Sequence, residues 1–552
     1  MIPAFSFIGA LFVTMVLLPP LMRLAGPLHL LDVPNERKIH SDLVPRCGGL
    51  AIASGILLPV LMWLPLEGPM VGVLAGGLIV FLFGLWDDVK DLDYKIKLLG
   101  QVIALVVVMQ SGIVLKHLPL AGLDTMPVWV CYPLTALFIL GITNAVNLSD
   151  GLDGLAAGCT MITLAIIALL AYQSNGSPVV VLCLSVMGGI LGFLRYNTHP
   201  AIVFLGDAGS QFLGFVAATA TIFLVERVNT ALSPALPLLL LGFPILDTSW
   251  SVVRRLVGGR SPFEPDRGHI HHKLLALGFK HYEAVSLIYV MHAFLICTTF
   301  YVRYQSDILI LSLFVVFCVV VVGLITLAER RGWRVQRSGA IAARPHRLRI
   351  LGGRWLPLGT TYFLGVSVAI FLVVGASVVQ LVQHDIVVVS VASIAALVAG
   401  TLLLPGRRRL MIRAGVYMSS VLVTFLLVPL RPNLWFTDFG INVSLAVSSV
   451  VLIVAMWLTQ RDMFRVTPQD LLIVFFALVV PNLSSDYLLR FPLNEMVFRL
   501  LVLFYITEFL VNRQSDESLP KVGGLFLVRS INWLLRISSV FCLAILATKG
   551  YF

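Results

Sequence analysis

Apolar stretches of about 20 residues recur from the first residues of this chain to the last, and that is the length one helix needs to cross the hydrocarbon core of a bilayer. Inside hydrocarbon every backbone N–H and C=O must be satisfied within the protein, so long unbroken apolar runs can be accommodated only as helices. With 59% hydrophobic and 12% charged residues over 552 positions, a soluble domain is excluded. The fold expected is all-α, a polytopic integral membrane helical bundle. Spans are expected at about 4–24, 48–66, 69–86, 98–115, 127–144, 154–173, 178–194, 209–226, 233–252, 284–302 and 307–328. Roughly five to seven further hydrophobic segments follow, near 358–382, 386–404, 412–430, 440–459, 467–482, 496–512 and 530–548. The chain therefore divides into a first membrane domain (1–328), a basic linker (329–356) and a C-terminal polytopic region (357–552). The first span lacks a cationic lead and a small-residue cleavage site and reads as a retained helix. The seven cysteines have no metal-like or redox-like spacing and are assigned to packing.

The formal charge of +11 is distributed unevenly. Arg37, Lys38, Arg46, Lys90, Lys95, Lys97, Arg195, Arg254 to Lys280 and the arginine run from Arg330 to Arg354 fall in alternate connections, while the others hold little beyond Lys116, Arg227 and Arg303. The positive-inside rule places the first group in the cytoplasm and the N-terminus outside, so the charge encodes topology and no nucleic-acid partner is implied.

Every polar segment with chemical character falls in that cytoplasmic set. The segment from Asn144 to Gly158 (NAVNLSDGLDGLAAG) holds two carboxamides and two carboxylates, a costly composition beside a bilayer. Asp150 and Asp153, three apart at the expected start of a helix, should share one face, and glycines 151, 154 and 158 leave room for a ligand or another backbone. Asp87, Asp88 and Asp91 end the third span, where the plainer reading is a solvated helix end. Asp207 lies between Gly206 and Gly209; it could N-cap the next span, or sit near a phosphate. Hard carboxylate oxygens with phosphate favour Mg2+ over zinc. His269, His271 and His272, near Arg267 and Lys273, suit phosphate binding or proton handling better than zinc, against the plainer reading of a basic loop. Arg37 and Lys38, in the loop from Asp32 to Gly49, could merely anchor topology. Asp247, inside the ninth span, either lines the site or pairs with Arg254 or Arg255. Carboxylates for a metal, cations for anionic oxygens and nearby histidines, all on one side of a membrane, suit phosphoryl transfer between a soluble donor and a lipid phosphate.

Five motifs, D-x-P-x-x-R-K-x-H followed by P-x-x-G-G (Asp32 to Gly49), D-D-x-x-D (Asp87 to Asp91), N-x-x-D-G-x-D-G-L-A-x-G (Asn147 to Gly158), F-x-G-D-x-G-S (Phe204 to Ser210) and D-R-x-H-x-H-H (Asp266 to His272), stand in one order in alternate loops. In these the chain resembles the polyprenyl-phosphate N-acetylhexosamine-1-phosphate transferases over about residues 1–330. The H-x-H-H pattern is similar to the undecaprenyl-phosphate GlcNAc-1-phosphate branch, which starts O-antigen, enterobacterial common antigen or teichoic acid linkage synthesis. The muramoyl-pentapeptide branch, with three successive histidines, is the alternative that Ile270 argues against. The resemblance implies transfer of N-acetylhexosamine-1-phosphate, with GlcNAc as the expected sugar, from a UDP-sugar to polyprenyl (undecaprenyl) phosphate with release of UMP. It implies Mg2+, with Mn2+ as a substitute, and a bacterial inner-membrane enzyme whose site faces the cytoplasm. On that resemblance Asp87, Asp88, Asp150, Asp153 and His271 are expected to be catalytic. Asp207, Asp88 and Asn147 are expected to hold the metal, and Asn147, Arg37, Lys38, Lys97, Arg267, His269 and His272 to bind substrate. The C-terminal region lies outside the resemblance and is expected to pack, form a homodimer or dock a partner. The rival functions are a transporter, whose acids would sit at the membrane midplane, with a lipid-linked glycan as one cargo, and an inactive scaffold.

Overall fold

The computed structural model describes residues 2–32, 43–64, 66–119, 126–259, 261, 268–335, 355–379, 384–403, 408–427, 443–452, 493–512 and 523–549, with isolated positions between them. Arg37, Lys38 and Arg267, three of the expected substrate-binding cations, lie outside the described residues. The chain forms two compact units, one of residues 1–337 with 467–475, the other of 338–466 with 476–552.

The first unit is helical apart from a two-residue antiparallel pairing, β1 (Leu31–Asp32) with β2 (Val44–Pro45). Its helices are α1 (Ile2–Leu24), α2 (Gly48–Trp63), α3 (Pro69–Lys90), α4 (Tyr94–Gln110), α5 (Val128–Leu148), α6 (Leu155–Gln173), α7 (Ser177–Asn197), α8 (Gly206–Phe223), α9 (Leu236–Leu240), α10 (Gly242–Val257), α11 (Ile270–Ala276), α12 (His281–Val302) and α13 (Asp307–Arg330). Across the described residues ten helices are long and apolar enough to cross a membrane. The protein is thus an all-α, multi-pass membrane protein. The core is set by α6 and α8, whose apolar windows are 94% and 89% buried, whereas α13 is 11% buried and faces outward.

The spans differ from the sequence reading where polar residues extend a helix. α3 continues past residue 86 to Lys90, and α5 past residue 144 to Leu148, so Asp87, Asp88 and Asn147 sit on helices rather than in loops. The ninth span is interrupted at Leu241, between Pro237 and Gly242-Phe243-Pro244. The carbonyl of Leu240, freed by this break, accepts from Thr163 Oγ1 at 3.0 Å. Such substitution by a neighbouring hydroxyl is what lets a membrane helix break without an unsatisfied group. Beyond the break α10 is amphipathic, with Asp247, Ser251 and Arg255 buried while Ser249, Val253, Leu256 and Val257 are exposed.

In the second unit the described helices are Trp355–Val378, His384–Leu403, Arg408–Leu427, Leu493–Asn512 and Gly523–Thr548, with a shorter one at Val443–Leu452. Serine hydroxyls join them, Ser367 to Ser448 at 2.7 Å and Ser419 Oγ donating to Ser539 O at 3.2 Å. Small hydroxyl residues at close helix contacts are usual in lipid, where apolar packing alone gives no preference for a partner helix.

Candidate active site

Helices α3 to α8 run alternately up and down, and their polar termini meet at one end of the bundle. Asp87 and Asp88 end α3, Lys97 lies in the first turn of α4, Asn147 ends α5, Asp207 begins α8. The reason two distant motifs meet here is backbone pairing. Gly48 N and Gly49 N donate to Phe204 O and Leu205 O at 3.0 and 2.8 Å, and Phe204 N donates to Pro45 O at 2.8 Å. The approach is so close that a Cβ on Gly49 would lie 2.3 Å from Gly209 N. The loop is further held by an Arg46–Asp32 ion pair.

Asp88 also has a structural task at the start of α8. Its Oδ1 accepts from Asp207 N at 2.8 Å and its Oδ2 from Ala208 N at 3.0 Å. A helix starts with N–H groups that have no intrahelical partner, and Asp88 satisfies two of those of α8 from another helix. Gly206, at φ 75°, leads the chain around this carboxylate, and a Cβ there would lie 2.6 Å from Asp88 Oδ2. Asp207 therefore does not cap its own helix; it stands in the first turn with its side chain free for other partners.

Those partners define the centre of the site. Asp207 Oδ1 accepts from Asn147 Nδ2 at 2.6 Å. Lys97 Nζ pairs with Asp87 Oδ2 and lies 3.5 Å from Asp207 Oδ2, so one ammonium bridges two carboxylates. Asp87 Oδ1 accepts from Leu92 N at 2.7 Å, which turns the chain at the end of α3. Asp91 then adopts a left-handed conformation (φ 53°) outside the helix, so it does not share a face with Asp87. Beneath this centre Asn144, Gln101 and Gln211 form a carboxamide network. Asn144 Nδ2 donates to Gln101 Oε1 at 2.8 Å and Gln101 Nε2 to Gln211 Oε1 at 3.0 Å, tying α4, α5 and α8 together.

Asp150 and Asp153 do not share a helix face, because α6 begins only at Leu155 and both lie in the preceding turn. Asp150 faces the centre: burial and the charges of Asp207, Asp88 and Asp153 push its carboxyl up to about 8. Asp153 turns the other way. Its Oδ2 lies 2.7 Å from His199 Nδ1 and accepts from Ala201 N at 3.2 Å, and its own N–H donates to His281 Nε2 at 3.3 Å. Asp153, His199 and His281 bring ligand atoms within 4.8 Å of one another. The two rings are stacked at 4.2 Å and 15°, however, which sets their in-plane lone pairs side by side rather than toward one point. His199 and His281 were not expected at the site; the pairing depends on α7 and α12 meeting at one end of the bundle, which no local pattern encodes.

The glycines of the Asn147–Gly158 segment make room for side chains of the protein. A Cβ on Gly151 would lie 2.4 Å from His271 Nε2, and one on Gly158 would lie 1.9 Å from the Tyr289 hydroxyl, which donates to Gly154 O at 2.6 Å. His271 is 2% exposed, and its Nε2 is buried without a hydrogen-bond partner. Burial, with His272 beside it, pushes its imidazole down to about 3, so it is neutral near neutral pH. Asp247 neither faces the centre nor pairs with Arg254 or Arg255; it accepts from His269 Nδ1 at 2.8 Å and from Ile270 N at 2.6 Å.

The donor set fits a hard divalent cation. Asp207 and Asp87 present carboxylate oxygens to one cleft, Asn147 adds a carboxamide, and Lys97 marks the cleft as a place where positive charge is stabilised.

A model described as glycosyl transferase family 4 matches residues 70–225, the stretch that carries α3 to α8. Over 319 residues the chain is 36% identical to the probable undecaprenyl-phosphate N-acetylglucosaminyl 1-phosphate transferase of Bacillus subtilis (strain 168), covering 57% of this chain and 88% of that protein. The chain belongs to this family of polyprenyl-phosphate sugar-1-phosphate transferases. Two further relatives match over about half of this chain. The decaprenyl-phosphate N-acetylglucosaminephosphotransferase of Mycobacterium leprae is 35% identical over 48% of this chain and 75% of its own length. The undecaprenyl-phosphate alpha-N-acetylglucosaminyl 1-phosphate transferase of Yersinia pestis is 30% identical over 50% and 77%.

Proposed function

We propose that this protein transfers N-acetylhexosamine-1-phosphate, with GlcNAc as the sugar, from a UDP-sugar to polyprenyl phosphate and releases UMP. The reaction is assigned to residues 1–328 at the cytoplasmic face of a bacterial inner membrane. The observation that carries this reading is the Asp87–Lys97–Asp207–Asn147 cluster at the polar end of the bundle. Two carboxylates around one cation, beside a membrane, suit a reaction in which one phosphate oxygen displaces another at phosphorus.

A phosphate monoester is already largely ionised near neutrality, so the lipid phosphate needs orientation more than deprotonation. Lys97 is the cation best placed to orient it, with Asp87 holding the ammonium. Asp207 and Asn147 would hold Mg2+, or Mn2+ in its place, which when bound neutralises diphosphate charge as UMP leaves. Asp88 keeps Asp207 in position through the start of α8. Asp150, protonated at neutral pH without a metal, can give up its proton when positive charge arrives. His269 and His272, with Arg267, Arg37 and Lys38, are assigned to the donor and lipid phosphates. Asp153 and the neutral His271 shape the loop on the donor side.

The test is to incubate the purified protein with polyprenyl phosphate, Mg2+ and a panel of UDP-sugars and to follow UMP. Release with a UDP-N-acetylhexosamine, abolished by Asp207→Asn, is the expected result. No release with any donor refutes the reading.

A further inference from the structure

Asp247 is 1% exposed, just beyond the break that separates α9 from α10. A carboxylate so buried needs its oxygens engaged, and both are engaged by one short motif. Oδ1 accepts the N–H of Ile270, the first residue of α11, and Oδ2 meets His269 Nδ1 at 2.8 Å. Because an ionised carboxylate can only accept, the imidazole proton sits on Nδ1, and Nε2 becomes the nitrogen through which His269 can hold or pass a proton. His269 is 4% exposed, and its ring runs parallel to that of His271 at 5.7 Å and 11°. His271 in turn packs against Gly151, next to Asp150. Asp247 thus holds, from inside the bundle, the element that abuts the Asp150 loop.

We propose that Asp247 is a positioning residue for the transfer reaction, fixing the orientation of His269 and balancing its imidazolium, so that Nε2, protonated from water, donates to the donor's anionic phosphate oxygens. This deepens the transferase reading and rests on it. An Asn at 247 has one acceptor for two donors. Ile270 N–H cannot release its proton, so the carboxamide oxygen stays with it. The carboxamide NH2 then faces His269 Nδ1, which must become an acceptor, and the proton moves to Nε2. The start of α11 is kept, but the ring stays neutral, because the carboxylate that would balance an imidazolium is gone, and Nε2 meets the phosphate oxygens as a weaker, uncharged donor. A purely structural role for Asp247 predicts the opposite, a mild Asp247→Asn.

The experiment measures UMP release and the thermal unfolding midpoint for wild type, Asp247→Asn, His269→Ala and the double variant. Expected are an unfolding midpoint of Asp247→Asn close to that of wild type, a kcat lower by about 10²-fold, a KM for polyprenyl phosphate that barely moves, and a double variant no slower than His269→Ala alone. Wild-type kcat in Asp247→Asn, or losses that multiply in the double variant, overturn the positioning role while leaving the transferase reading intact. Absence of wild-type turnover overturns both. Should Asp247→Asn lose its unfolding transition, Asp247→Glu, which keeps two acceptor oxygens on a longer arm, puts the same question. A kcat reduced about tenfold or more with a retained midpoint supports the role, and a wild-type kcat overturns it.

Discussion

Asp88 accepts the backbone N–H of Asp207 at 2.8 Å, so the carboxylate of one motif starts the helix that carries the carboxylate of another. The second oxygen does the same for Ala208. Asp88→Ala removes both acceptors from buried N–H groups and is expected to cost about 2–4 kcal/mol, with Asp88→Asn, which keeps one oxygen, in between. Thermal unfolding of the detergent-solubilised protein measures this. An unchanged midpoint for Asp88→Ala would remove the capping role.

Lys97 and a divalent cation compete for the same oxygens of Asp87 and Asp207. Lys97→Ala should lower turnover by about 10²-fold, yet leave Mn2+ binding as tight as in wild type or tighter. Asp207→Asn should weaken that binding at least about tenfold. Electron paramagnetic resonance of free Mn2+ reads both affinities, and weaker binding in Lys97→Ala would contradict the shared cleft.

Acid–base behaviour follows from Asp150, pushed up to about 8, and His271, pushed down to about 3. Between its ordinary value of 3.8 and about 8, folded Asp150 holds a proton that the unfolded chain lacks, so its contribution to stability falls as pH rises through that window. His271 has the opposite sign between about 3 and 6.5, where the unfolded chain binds the extra proton. Of these two groups, only Asp150 contributes from 6.5 to about 8. Metal-free wild type should lose stability across it, and Asp150→Asn should flatten the loss. Chemical denaturation at several pH values checks this; parallel curves for the two proteins would exclude the protonated carboxyl.

Gly158 has no space for a side chain, since its Cβ would lie 1.9 Å from the Tyr289 hydroxyl. Gly158→Ala must displace Tyr289 and break its bond to Gly154 O, at an expected cost of about 1–3 kcal/mol. Gly158→Ala combined with Tyr289→Phe should recover part of that loss, and a double variant less stable than Gly158→Ala would argue for another cause.

Much of the candidate site was legible before any coordinates. The carboxylates at 87, 88, 150, 153 and 207 stand out because acids are rare beside apolar spans, and each lies at the polar end of the bundle. Their partners were not legible. Asp88 and Asp207 are far apart in the chain, and a carboxylate that caps another helix looks, as a residue, like one that waits for a metal. Asp150 and Asp153, three residues apart, look alike in sequence and point to opposite neighbours, because the turn before α6 separates what a helix would have aligned. The interruption at Leu241 was missed because hydropathy does not register a carbonyl satisfied by Thr163 of another helix.

Apolar run length and composition determined, from sequence alone, that this is an all-α membrane protein. Those are properties of one residue against its solvent, lipid or water, and composition records them. Only the tertiary structure decided that Lys97 bridges Asp87 and Asp207, that Asp88 starts α8, and that Asp247 holds His269. Each of these is a hydrogen bond or ion pair between segments many residues apart. Its existence depends on a few ångströms of helix placement, which the packing of α3, α4, α5, α8 and α10 sets and no single segment contains.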